Sequence, residues 1–200
     1  CSGLDVASGG AVQGGIAGWT SSLADVSRAA GALFAVSKPT VAAVDGVAVG
    51  AGMNLALGAD VIVSSDRARF AELFVKRGLT VDFGGIWLLP RLVGLARAKE
   101  LALTGRVFGA AEALEYGIVS EVVAADRLHS RSLEIAEELA SGAPLAQRFI
   151  KAGLDRSFDM SFEEALAYES QAQALLLTSE DAAEGMISFL QKRPPEFKGR

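Results

Sequence analysis

The chain of 200 residues carries one cysteine, Cys1, and one histidine, His129. A lone cysteine excludes an intrachain disulfide and a cysteine-built zinc site. A lone histidine excludes a multi-histidine metal centre. It also leaves little room for a Ser-His-Asp triad, because His129 lies in the polar run Asp126-Arg127-Leu128-His129-Ser130-Arg131, which reads as a solvated helix start. Charge of neither sign dominates. The formal net charge is −5, so nothing advertises nucleic acid or an anionic membrane as a partner. Long apolar runs are absent too, and no signal-peptide pattern appears, which leads us to expect no membrane partner and a cytoplasmic location.

What is present is a composition suited to a buried core. Half the residues are hydrophobic and 22% are charged, which argues against disorder. The chain opens without Met in the turn Cys1-Ser2-Gly3-Leu4-Asp5, and further residues upstream are expected. Residues 7–20 are rich in Gly, Ala and Ser with little periodicity and are expected to form a mobile loop. From Ser21, Leu23, Val26, Ala30, Leu33 and Phe34 recur at helical spacing. Thr40 to Val44 and Asp60 to Ser64 read as buried strands, Arg67 to Leu73 as a shorter one, and Val119 to Val123 as another. Met53 to Leu57 reads as a short helix. Longer helices are expected over 86–93, 95–103, 109–116, 126–140, 144–157, 161–177 and 180–191. Strand–helix alternation followed by a helical third implies a parallel sheet with helices packed on it, hence an α/β fold.

Three glycine-rich turns could carry chemistry. Two are Ser2-Gly3-Leu4-Asp5 and Val49-Gly50-Ala51-Gly52-Met53-Asn54. Backbone N–H groups at a helix start have no intrahelical partners and face a region of partial positive charge, so such a turn can hold an anion or a developing oxyanion. Turns that merely reverse the chain look the same. A dinucleotide fingerprint fails because position 55 is Leu55, and Gly-Lys-Ser/Thr of a phosphate-binding loop is missing. The third turn is Gly78-Leu79-Thr80-Val81-Asp82-Phe83-Gly84-Gly85. There Asp82 is either a helix cap or a partly desolvated carboxylate suited to base catalysis.

The run Lys38 to Gly52 (KPTVAAVDGVAVGAG) resembles the central signature of the enoyl-CoA hydratase/isomerase (crotonase) family. Phe70-Ala71, Gly78-Leu79, Gly84-Gly85, Leu88-Leu89-Pro90-Arg91-Leu92-Val93-Gly94, Leu103-Thr104-Gly105, Ala111 to Val119 and Phe189 to Arg193 continue the likeness in order. The resemblance implies a crotonase-like spiral of ββα units over residues 1–140, with the first part of that core absent. A helical C-terminal trimerisation region over 141–200 would follow. It also implies acyl-CoA thioester substrates, a homotrimer or hexamer, and no cofactor beyond the coenzyme A of the substrate.

By position, the oxyanion-hole amides would be those of Leu4 and Ala51. Phe189 and Lys192, three apart and so on one helix face, would contact coenzyme A. The two glutamates of hydratases in this family are replaced by Asn54 and Phe74, neither an acid nor a base. The turn around Asp82, together with Asn54, is most similar to the phenylacetate-pathway enoyl-CoA isomerase branch, which implies that Asp82 is catalytic. Glu72 is a weaker rival, since an acidic residue at a strand edge is commonly solvated. The expectation is therefore an enoyl-CoA isomerase. Alternatives are an enoyl-CoA hydratase of fatty-acid or aromatic degradation and a non-catalytic acyl-CoA-binding member.

Overall fold

A computed structural model describes residues 1–3 and 15–200. The chain divides into two compact units, one of Cys1–Val36 and Thr40–Leu133, the other of Ser37–Pro39 and Glu134–Arg200.

The first unit holds six short strands among its described residues, β1 (Val41–Val44), β2 (Val47–Val49), β3 (Val61–Ser65), β4 (Arg69–Ala71), β5 (Phe108–Gly109) and β6 (Glu121–Val123). They form two three-stranded sheets, ordered β1-β3-β6 and β2-β4-β5. Strands β1 to β4 alternate between the two sheets, β5 joins β4 in the second and β6 returns to the first, and the chain first steps across at the tight turn Asp45-Gly46. Arg67 pins that turn by donating from Nε to Asp45 Oδ1 at 2.7 Å. All pairs are parallel except β4 with β5. The apolar strands of such sheets are covered on both faces, so they read as continuous runs rather than alternating ones. Phe70 on β4 and Phe108 on β5 lie opposite each other, fully buried and stacked with ring centroids 5.7 Å apart.

Between the strands run α2 (Ala51–Leu57), a 3-10 turn at Leu73–Arg77, α3 (Gly85–Val93), α4 (Leu95–Thr104) and α5 (Ala110–Glu115). Helix α2 is buried on most sides, through Gly52, Met53, Asn54, Ala56 and Leu57, so the polar side chain of Asn54 must find its partners in the interior. Ahead of β1 lies α1 (Gly15–Phe34). It starts six residues before the periodic set beginning at Ser21, which corrects the expected loop for residues 15–20; Ile16 and Trp19 extend the same spacing beneath a Gly- and Ala-rich composition.

The segment Ser37–Pro39 and Glu134 onward make the second unit, with α7 (Pro144–Arg156), α8 (Phe162–Leu176) and α9 (Glu180–Gln191). Their ends are set by local chemistry. Ser161 and Glu164 form a reciprocal capping box at the start of α8, which satisfies two otherwise free backbone donors. Helix α9 ends with Lys192 in the left-handed conformation (φ 55°), its amide donating to the Phe189 carbonyl and that of Arg193 to Ser188. Pro194 and Pro195 prevent continuation. Lys192 therefore stands past the helix rather than on its face, which corrects the expected shared face with Phe189. The helix α6 (Leu128–Ala140) carries His129, which is exposed.

Candidate active site

The first residue of α2 is Ala51, whose amide is one of the unpaired donors of a helix start. Its N-cap is Gly50, with φ 55°. Residues 1–3 run alongside β2, for Val49 donates to the Cys1 carbonyl at 3.1 Å. Gly3 then comes up against α2, and a Cβ built there would stand 3.3 Å from the Ala51 nitrogen. The two glycine turns singled out in the sequence are thus brought together. Leu4, the expected second oxyanion donor, lies outside the described residues.

One helical turn after Ala51 is Asn54, fully buried. Its Nδ2 donates to the backbone carbonyl of Asp82 at 2.9 Å and reaches Glu72 Oε2 at 3.5 Å. Room for it comes from Gly85, where a Cβ would fall 2.4 Å from the Asn54 amide nitrogen. With Ser27, Asn54 also lines a cavity of about 400 Å³ otherwise walled mainly by apolar groups, among them Leu33, Phe34, Phe83, Trp87 and Leu88. Phe34 and Trp87 meet edge to face at 5.2 Å. Such a cavity is in the size range of ligand pockets.

Asp82 is half-buried, and burial raises its pKa from its ordinary value. It does not cap α3 with its side chain, since the N-cap is Gly84 without a side-chain hydrogen bond. Asp82 Oδ1 is buried without a protein partner. The turn beyond it is strained, with Phe83 at φ 50°, a conformation non-glycine residues rarely take and one that clusters at functional sites.

Glu72 is the residue the sequence undervalued. It is not solvated but 0% exposed, because β4 is the middle strand of its sheet rather than an edge. Burial first, and then the neighbouring charge of Asp82, push its pKa up to about 7, while the Asn54 hydrogen bond partly opposes this. The available signal was an acid inside the apolar run Phe70-Ala71-Glu72-Leu73-Phe74-Val75, the same cue that marked Asp82. Phe74 instead places the tip of its ring beside Gly50, ahead of the start of α2.

A raised carboxyl pKa has a consequence for stability. The folded chain holds the Glu72 proton up to about pH 7, whereas an unfolded one releases it near 4.5. The folded state binds more protons in that window, so stability falls as pH rises through it. The contribution is fully present below pH 4.5 and lost above 7, and amounts to ~3 kcal/mol. Denaturant melts at pH 5 and pH 8 are expected to show that loss in the wild type and little of it in Glu72→Gln.

Two small sheets joined by a tight turn, a helix-start amide against the Gly3 backbone, and two acids, Glu72 and Asp82, packed around the buried Asn54 that lines an apolar cavity define an α/β protein with a candidate active site. The family model described as enoyl-CoA hydratase/isomerase matches residues 1–200, and the chain belongs to that family. It is 41% identical over 172 residues to carnitinyl-CoA dehydratase of Escherichia coli K12, which covers 84% of this chain and 66% of that protein. It is 40% identical over 170 residues to the protein named probable enoyl-CoA hydratase echA8 in Mycobacterium tuberculosis, covering 85% and 66%. The chain thus spans just under two thirds of the length of these relatives. A crystal structure of enoyl-CoA hydratase from Bacillus anthracis superposes with TM-score 0.94 at 31% identity, covering all of this chain and 77% of that one, which makes the fold crotonase-like. Among the described residues no helix is long and apolar enough to cross a membrane.

Proposed function

We propose that this chain forms the catalytic core of an enoyl-CoA isomerase, moving a double bond within an acyl-CoA thioester through an oxyanion-stabilised enolate. The observation that carries the reading is the Asp82 carboxyl, which is half-buried, without a partner at Oδ1 and free of any capping duty. As carboxylate it removes a proton from a carbon beside the double bond, and the electron pair moves onto the thioester oxygen. The Ala51 amide, with that of Leu4 by family resemblance, holds the negative charge. Asp82 then returns the proton to a different carbon, so nothing is gained or lost overall. No separate cofactor enters, because coenzyme A arrives with the substrate.

Hydration is the second reading, favoured by one observation: Glu72 supplies a second buried carboxyl, and hydration needs both a positioned water and a proton donor. The isomerase is preferred because Glu72 is fully buried against Asn54, whereas Asp82 is only half-buried and carries an unpartnered Oδ1. Purified full-length protein incubated with 2-enoyl-, 3-enoyl- and ring-epoxide CoA esters tests both. Products identified by mass and NMR at unchanged mass support the isomerase, and a gain of water overturns it in favour of the hydratase.

The reading includes a cytoplasmic homotrimer or hexamer and a coenzyme A contact by Phe189 and Lys192. Phe158, Phe162, Leu154 and Leu175 are each more than half exposed, and a second copy would bury them. Sedimentation at micromolar concentration is expected to give a trimer or larger species. Phe189 is 82% exposed and Lys192 is exposed just past the end of α9, so an aromatic ring and an ammonium are both open to adenine and phosphate. Lys192→Ala is expected to weaken the Kd for acyl-CoA about two- to fivefold, as a screened surface charge does, measured by calorimetric titration.

A further inference from the structure

Glu72 occupies a place the proposed reaction does not use. It follows β4 directly, and its neighbour Ala71 accepts the Gly50 amide at 2.8 Å, so its backbone is fixed beside the oxyanion turn. Its carboxyl points to Asn54 rather than to the cavity. The Asn54 amide is shared, Nδ2 serving the Asp82 carbonyl at 2.9 Å and Glu72 Oε2 at 3.5 Å. Meanwhile Asn54 Oδ1 and Glu72 Oε1 are both buried without a protein partner. A primary amide and a carboxylic acid complete each other through two hydrogen bonds, N–H to carbonyl and O–H to amide oxygen. A proton on Glu72 supplies the donor that Asn54 Oδ1 lacks.

We infer that Glu72 is a positioning residue that works as a neutral acid, locking the Asn54 amide in the orientation that holds the Asp82 turn against the cavity. This rests on the proposed role of Asp82. From α2, Glu72 faces the neutral Asn54; from α3, the uncharged Gly85 abuts Asn54; and from the turn preceding α3, the charge of Asp82 acts on it. Burial opposes charge on Glu72, and the Asp82 charge adds to that, so ionising Glu72 as well as Asp82 is costly. The charge then resides on Asp82, where the reaction uses it, and the proton on Glu72. Loss of that proton removes the donor, frees Asn54 to rotate, and sets a second negative charge behind the base. Burial and the Asp82 charge place that loss at about pH 7.

The test compares wild type, Glu72→Gln and Glu72→Leu between about pH 5 and 9. It reads kcat and KM with 3-hexenoyl-CoA, together with unfolding stability. Gln keeps a neutral hydrogen-bonding head, so Glu72→Gln is expected to lose about two- to fivefold in kcat and to lose the wild type's fall above pH 7. Leu suits a buried position but removes the Glu72 partner of Asn54, leaving Nδ2 only the Asp82 carbonyl and Oδ1 no donor. Glu72→Leu should therefore fold and lose roughly 10- to 100-fold in kcat at every pH with KM little changed. A Glu72→Gln rate hundreds of times below wild type at pH 6 would make Glu72 a proton-transfer group and overturn the inference. So would a Glu72→Leu protein as active as wild type, or a wild-type pH profile unchanged in Glu72→Gln. Were the isomerase reading itself wrong, 3-hexenoyl-CoA would not be turned over. The pH dependence of unfolding stability between about pH 5 and 8 would still decide Glu72, falling in the wild type and flat in Glu72→Gln if the buried acid carries a proton there, and the same in both if the inference fails.

Discussion

Replacing Asp82 with Asn is expected to slow turnover of a 3-enoyl-CoA by roughly a hundred- to ten-thousandfold while leaving the fold and acyl-CoA binding nearly intact. The substitution keeps size and shape and removes the ability to take up a proton from carbon. It touches no capping bond, because α3 is capped by Gly84, and the backbone carbonyl that Asn54 holds is unchanged. Burial opposes charge on Asp82, so a neutral side chain there relieves a desolvation cost and stability should not fall. A purely structural role predicts the reverse pattern, with some stability lost and turnover kept. Near-normal turnover would remove Asp82 from the reaction and make Glu72 the next candidate. The loss should appear in kcat and in kcat/KM alike, since the carboxylate acts on the proton in flight and not on the bound ground state.

The parts of this chain that were legible in its sequence are those with local causes. Helices α4, α6, α7 and α9 keep their apolar residues to one side, and α8, which has little such pattern, carries its capping box in Ser161 and Glu164. Strands β1 and β3 stand out as β-branched runs between turns. Strands β2 and β5 are three and two residues long, too short for any period, and exist only because β4 lies between them. The candidate site divides in the same way. Asp82 was visible as an acid in an apolar, glycine-bounded turn. Glu72 looked like a solvated edge residue because nothing local says that β4 is a middle strand. The Asn54–Glu72 contact joins residues 18 apart, so no pattern in sequence could pair them. Sequence marked Asn54 by an absence, the missing glutamate. The fold gives it a positive content, an amide shared between two carboxyl-bearing residues at the wall of a cavity.

Glycine at position 52 is expected to be as demanding as the acid itself, though for a steric reason. A Cβ built at Gly52 would lie 2.2 Å from the carbonyl oxygen of Cys1 and 2.7 Å from its carbonyl carbon. Those are backbone atoms, and no rotamer change can move them away. The Cys1 carbonyl is also tied, as the acceptor of the Val49 amide at 3.1 Å. Shifting residues 1–3 breaks that bond and carries Gly3 away from Ala51. Shifting α2 instead displaces the Ala51 amide, which immediately precedes Gly52, and Asn54 two residues on. Either relaxation disturbs the oxyanion donor, whose loss costs about a hundred- to a thousandfold in rate, besides an overpacking cost of roughly 1–3 kcal/mol. The matched control is Gly185→Ala within α9. There the added Cβ meets only the Phe197 ring at an ordinary 3.6 Å, and the better helix former should add up to ~1 kcal/mol of stability. Thermal melts and turnover of both variants, taken side by side, separate a general intolerance of alanine from the specific one at the oxyanion turn. If Gly52→Ala turns over substrate as wild type does, then α2 and residues 1–3 need not be in close contact during catalysis, and the Ala51 amide loses its proposed role.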